Sequence, residues 1–241
     1  TFYVNGNMSI TGAGYVTQTT GSPINTWGAS TSGVAGAGGA AEGSTVNRST
    51  LIYTHDFFST YNCAGVGAGY ANPNSGGSSR TAIFVAGTIT INTTVGSAIS
   101  FSGYAGRNSD GATYHGGGGG GGGCLILFSG QGIYLTSAGN TIITARGGNG
   151  GNGSAAGAGW RAGGGGGGGC VILMAPHITC SSGVVSDWVD VTGGTKGTTD
   201  TGAGAGYGGG GSFGAGGNVN TNGSNGTLYT FAKFNGMGAI A

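Results

Sequence analysis

The chain has 241 residues, enough to bury a core, and 63 of them are Gly against a usual ~7%. Only 3 are Pro and no Gly-X-Y period runs through the sequence, which excludes collagen; a composition so far from average also excludes an ordinary globular enzyme. Charged residues are 5% and the net charge is +1, so the clustered Lys and Arg of a nucleic-acid footprint and the self-repulsion of a charged disordered chain are both missing.

The opening TFYVNG lacks Met, as expected of a processed, exported chain or of a trimmed one. No apolar stretch reaches the roughly 18 residues of a membrane span, and no signal peptide is visible. Two weak strand sets come first, FYVNGNMSITGAGYVTQ from Phe2 and LIYTHDFFSTYNC from Leu51. Three clear ones follow: AIFVAGTITINTTVGSAISFSGYAGRN (82–108), LILFSGQGIYLTSAGNTIITARGGNGGN (125–152) and VILMAPHITCSSGVVSDWVDVTGGTKGT (171–198). Each has an apolar strand, a Gly or Pro break, a short alternating strand, a polar turn, another strand and then Gly-rich sequence. A last strand is TLYTFAKF (227–234).

β-branched strands broken by Gly, Asn and Ser turns, without sustained helical periodicity, predict an all-β chain. Repeated coils that cannot bury their apolar faces alone are expected to stack. The expected architecture is an irregular parallel β-solenoid with glycine-rich excursions, its coils varying in circumference; the alternative is a β-sandwich or jelly roll with glycine-rich loops. A single repetitive domain is expected over 1–241, with weak coils at 1–80 and clear repeats at 81–241.

The excursions return to the strands through a repeated junction. HGGGGGGGGCLILFSG (115–130) and RAGGGGGGGCVILMAP (161–176) both place Cys first after the glycine run. GGNGGNG, within the second set, has the three-residue period of the polyglycine II helix, with about 3.1 Å rise per residue. Such helices can pack backbone to backbone because no Cβ intervenes. Tyr114, Trp160 and Tyr207 precede successive tracts at near-equal spacing, which predicts an aromatic ladder.

Catalytic groups are few. The acids are Glu42, Asp56, Asp110, Asp187, Asp190 and Asp200, and the histidines are His55, His115 and His177. Asp187 and Asp190 could pair as in a glycosidase, but three apart on a strand they point to opposite faces. GGSFG puts Ser212 in a G-x-S-x-G pattern that so much glycine produces by chance, without a strand-turn-helix context. Cys63, Cys124, Cys170 and Cys180 contain no C-x-x-C pair, so no metal or other cofactor is expected. The equal phase of Cys124 and Cys170 puts them on adjacent coils, where a Cα separation of about 4.8 Å would permit a disulfide. Cys63 and Cys180 would then be paired or free; the competing reading is four buried thiols. Candidate glycosylation sequons are Asn7, Asn47, Asn92, Asn152, Asn222 and Asn225. Tyr, together with Trp27, Trp160 and Trp188 among small polar residues, would also suit an adaptable binding surface.

At GGGGGGGGCLILFSG and ITARGGNGGNG the sequence resembles glycine-rich extracellular fibre proteins, including distal tail-fibre adhesins of phages built around bundled polyglycine II helices. It is also similar to glycine-rich β-solenoid surface proteins of bacteria and archaea. The likeness covers about residues 80–215. For the adhesins it implies receptor-reading loops between glycine helices, which here would present Tyr114, His115, Trp160, Arg161 and Tyr207. The apolar strand sets are a departure from a pure polyglycine bundle.

The expected function is a secreted, non-catalytic structural protein of an extracellular filament, sheath or surface fibre. Its partners would be copies of itself, joined through the strand-like ends TFYVNGNMSI and TLYTFAKFNGMGAIA. The alternative is a receptor-binding adhesin at a phage fibre tip or cell surface, recognising a glycan or outer-surface protein. A protective or ice-binding coat is a minor third reading, with no Thr-x-Thr array beyond TITINTT. All place the chain outside the cell or on a virion, without nucleic acid and without a membrane span.

Overall fold

The structure is a computed structural model that describes residues 2–4, 6, 8–11, 16–17, 80–93, 99–106, 108–109, 116–137, 141–153, 162–198 and 222–232. These are strand-rich with almost no helix, so the chain is all-β over the described residues. The strands are β1 (Phe2–Val4), β2 (Met8–Thr11), β3 (Val16–Thr17), β4 (Arg80–Val85), β5 (Thr88–Thr93), β6 (Ile99–Ser100), β7 (Cys124–Ser129), β8 (Gly132–Ser137), β9 (Ile143–Thr144), β10 (Cys170–Met174), β11 (Ile178–Cys180), β12 (Val189–Asp190) and β13 (Thr227–Phe231). Among the described residues a 3-10 turn, Val185–Asp187, precedes β12.

Three sheets result. The first has the order β1-β4-β7-β10-β13, the second β11-β8-β5-β2 and the third β12-β9-β6-β3. Every pairing is parallel. The chain therefore visits the sheets in the same sequence on each passage and lays each new strand beside the corresponding one of the passage before. Like residues come into register: Ile83, Leu127 and Leu173 across the first sheet, Ile89, Ile133 and Ile178 across the second, Ile99, Ile143 and Val189 across the third.

The inward residues of all three sheets meet in one cluster that includes Ile83, Leu125, Leu127, Ile89, Ile91, Ile133, Leu135, Ile99 and Ile143. Each fully buried Ile or Leu contributes about 1.5–3 kcal/mol. The alternation in TITINT and GIYLTS fits a strand with one buried face. The unbroken run of CVILM fits a strand covered on both. Accordingly the first sheet has a second apolar cluster of Ala82, Cys124, Ile126, Cys170 and Ile172, flanked by Phe84 and Met174. Period-two geometry puts it on the sheet's other face.

Ser129 makes the corner between the first and second sheets. Its fully buried hydroxyl accepts the Gly132 N–H at 2.8 Å and donates to the Gly87 carbonyl of the preceding passage at 2.7 Å. A polar corner is thereby satisfied inside an apolar wall.

The Leu51 stretch lies outside the described residues. Strand β1 pairs directly with β4. One expectation needs correction. Asp187 is not on a strand with Asp190. Gly183 turns the chain at φ 65° and the Asp187 carboxylate accepts the Val184 N–H at 3.0 Å, closing the 3-10 turn.

Candidate functional site

The sequence-selected contact residues Tyr114, His115, Trp160, Arg161 and Tyr207 lie outside the described residues. So do Cys63, Ser212 and the sequon residues Asn7 and Asn47. What the structure brings together is a glycine layer beside the sheets and an aromatic rim on the first sheet.

After β6, β9 and β12 the chain runs outward, at 101–106 with 108–109, at 145–153 and at 191–198, and it returns at 116–123, 162–169 and 222–226. Neighbouring outward segments are joined by main-chain bonds every third residue: Gly103 to Arg146, Gly106 to Asn149 and Ser109 to Asn152, at 2.7–2.8 Å. The next pair repeats this, Gly147 to Thr192, Gly150 to Thr195 and Gly153 to Thr198. A second residue of each triplet bonds the returning layer, with Gly148 donating to the Gly120 carbonyl and Gly166 donating to that of Gly148. All of 116–123 and 162–169 is buried.

The third residue of each triplet carries a side chain, and this side chain serves the next passage. Asn108 Oδ1 accepts the Asn152 N–H, and Asn149 and Asn152 accept those of Thr195 and Thr198, at 2.8–3.0 Å. Asn in GGNGGNG is thus a main-chain substitute on the solvent face. Glycine elsewhere is a matter of space. Among the described residues only Gly6 and Gly183 among the glycines have positive φ, whereas a Cβ at Gly119 would strike the Gly148 carbonyl and one at Gly166 that of Gly120.

On the far face of the first sheet, parallel register makes two rows, Ala82–Ile126–Ile172–Tyr229 and Phe84–Phe128–Met174–Phe231. The Phe84 and Phe128 rings stand 5.8 Å apart. At β13 the rows come to the surface, with Tyr229 38% and Phe231 44% exposed and their rings stacked at 6.4 Å. No strand among the described residues pairs with the far side of β13 or of β1. Tyr104, on the first outward segment, is 51% exposed. Trp188, by contrast, is buried at 3% with its Nε1–H donated to the Ser182 carbonyl at 2.8 Å, so it is core rather than surface.

Cys124 and Cys170 are register partners on β7 and β10, as their equal phase predicts. Cys180 sits in the second sheet on β11. Burial, and then the nearby Asp187 carboxylate, push its thiol up from the usual range, which keeps it protonated near neutrality. Asp187 and Asp190 are separately engaged. Asp190 accepts the Thr192 N–H at 2.9 Å and its hydroxyl at 2.7 Å, and pairs with Arg146 Nε at 3.2 Å. Among the described residues no group of three or more His, Cys, Asp or Glu is placed to hold a metal ion. No described helix is long and apolar enough to cross a membrane. Of the described sequons, Asn92 is exposed at the end of β5, while Asn152, Asn222 and Asn225 each accept a main-chain N–H.

No family model matches the chain, and no curated protein or solved structure matches it significantly.

Proposed function

We propose that the chain is an irregular three-sided parallel β-solenoid whose excursions are polyglycine II helices, and that it is a secreted, non-catalytic structural protein of an extracellular filament, sheath or surface fibre. The observation that carries this reading is the strand order β1-β4-β7-β10-β13, in which every strand is a template for another of the same direction and row chemistry. A second copy offering β1 to β13 would continue the sheet in the same strand direction. The three-residue bonding period of the outward and returning segments supports the polyglycine II assignment. The partner in this reading is the chain itself.

Negative-stain microscopy and sedimentation of the purified chain test it. Polymers of uniform width that grow with concentration are expected; a monomer or trimer that never polymerises sinks the filament reading. The adhesin reading has exposed Tyr104 in its favour. It would be supported if such a discrete species bound host cells or glycans and lost binding in the Trp160→Ala/Tyr207→Ala variant.

A further inference from the structure

The outward glycine segments repeat one pattern of donors along the stack, and the last of them changes its acceptors. In the first segment the N–H groups of Gly103 and Gly106 go to the carbonyls of Arg146 and Asn149 at 2.8 and 2.7 Å. In the second the equivalent groups, on Gly147 and Gly150, go to Thr192 and Thr195 at 2.9 and 2.8 Å. The equivalent groups of the third belong to Gly193 and Lys196. Their acceptors are side chains: Gly193 donates to Asn225 Oδ1 at 3.1 Å and Lys196 to Asn222 Oδ1 at 2.9 Å.

We propose that Asn222 and Asn225 are a cap that closes the glycine layer at this segment, their amide oxygens taking the place that the main-chain carbonyls of the next outward segment hold for the two segments before it. The spacing suits the task. Three residues are one turn of a three-residue helix, so two side chains one turn apart meet two donors one turn apart. Their own backbone is fixed by the following glycines, Gly223 donating to the Gly194 carbonyl at 2.9 Å and Gly226 to that of Val191 at 2.8 Å. A short amide supplies the acceptor from an exposed position, much as Asn caps a helix.

The consequence concerns association. A glycine segment of a second copy cannot reach the Gly193 and Lys196 donors while the amides hold them, so the glycine layer is closed at this end and any joint there falls to β13. The cap stands whether or not copies polymerise, so its test is separate from that of the filament reading.

Residue-resolved hydrogen exchange of the full chain decides it. In N222A/N225A, exchange at the Gly193 and Lys196 amides should quicken about fivefold or more, the equilibrium worth of one net hydrogen bond. Gly147 and Gly150 should keep their protection. N222D/N225D retains an acceptor oxygen and should keep Gly193 and Lys196 protected. Unchanged exchange at these two amides in the alanine variant would overturn the cap. Equal loss at Gly147 and Gly150 would overturn it as well, because the asparagines would then be supporting the whole layer rather than closing its end.

Discussion

A single hydroxyl shows how much this fold asks of individual polar groups. Ser129 sits fully buried where the first sheet turns into the second, and its Oγ serves the Gly132 N–H and the Gly87 carbonyl together. The Gly132 carbonyl, at 2.9 Å, competes for the same proton. Ser129→Ala leaves the buried Gly132 N–H without its hydroxyl acceptor and the Gly87 carbonyl with the longer Gln131 N–H bond at 3.3 Å, and should cost about 2 kcal/mol in a urea titration. Ser100, whose hydroxyl takes a bond from the partly exposed Thr144 at 3.1 Å, offers the contrast. Its alanine variant should lose under about 1 kcal/mol, since water can replace the partner. Similar losses at both sites would mean that the corner hydroxyl is not what joins successive passages.

At the scale of the element, the outward segment 145–153 makes a prediction with a period. Side chains are accepted where the triplet faces solvent, at Arg146, Asn149 and Asn152, and refused where it faces another main chain. A Cβ at Gly147 would strike the Gly166 carbonyl, one at Gly148 that of Tyr104 and one at Gly150 that of Gly163. An alanine scan of 146–150 should therefore alternate in threes. Asn149→Ala should cost about 1 kcal/mol for the lost bond to Thr195, and each of the three glycine variants about 3 kcal/mol or more, read as denaturant midpoints. A uniform scan would refute the packed layer.

That period was written in GGNGGNG, and the strands were written in AIFV, LILF and VILM. Less of the rest could be read. The runs of the first sheet announced burial, yet periodicity alone does not say that two separate apolar clusters share one strand. The turn at Val185–Asp187 was hidden because VVSDWVD carries a strand's composition, and only Gly183 with the Asp187 carboxylate tips the backbone into a turn. The sequons at Asn222 and Asn225 drew attention to the right residues for another reason: the pattern names the side chain, while its acceptor role depends on which donors the neighbouring passage leaves open. The register of Cys124 with Cys170 followed from equal spacing, because parallel pairing preserves phase.

For the whole molecule the decisive quantity is how little charge it has. With 7 Lys and Arg against 6 Asp and Glu, and the Arg146–Asp190 pair engaged within the chain, long-range attraction cannot assemble copies. If copies join as proposed, main-chain bonds along β13 and the exposed Tyr229 and Phe231 rings must supply the contact. Raising salt from about 0.1 M to about 1 M shortens the screening length from about 10 Å to about 3 Å, which would dissolve a joint made of surface ion pairs. The polymer mass measured by sedimentation should instead hold or rise across that range, since screening leaves apolar burial untouched. The Tyr229→Lys/Phe231→Lys variant should keep the same thermal transition, because both rings are exposed, while failing to polymerise at low salt. Recovery of its polymers at high salt would show that lysine repulsion alone blocked the joint; continued failure would assign the loss to the missing aromatic contact. Salt-induced dissolution of the unaltered chain's polymers would contradict an apolar joint altogether.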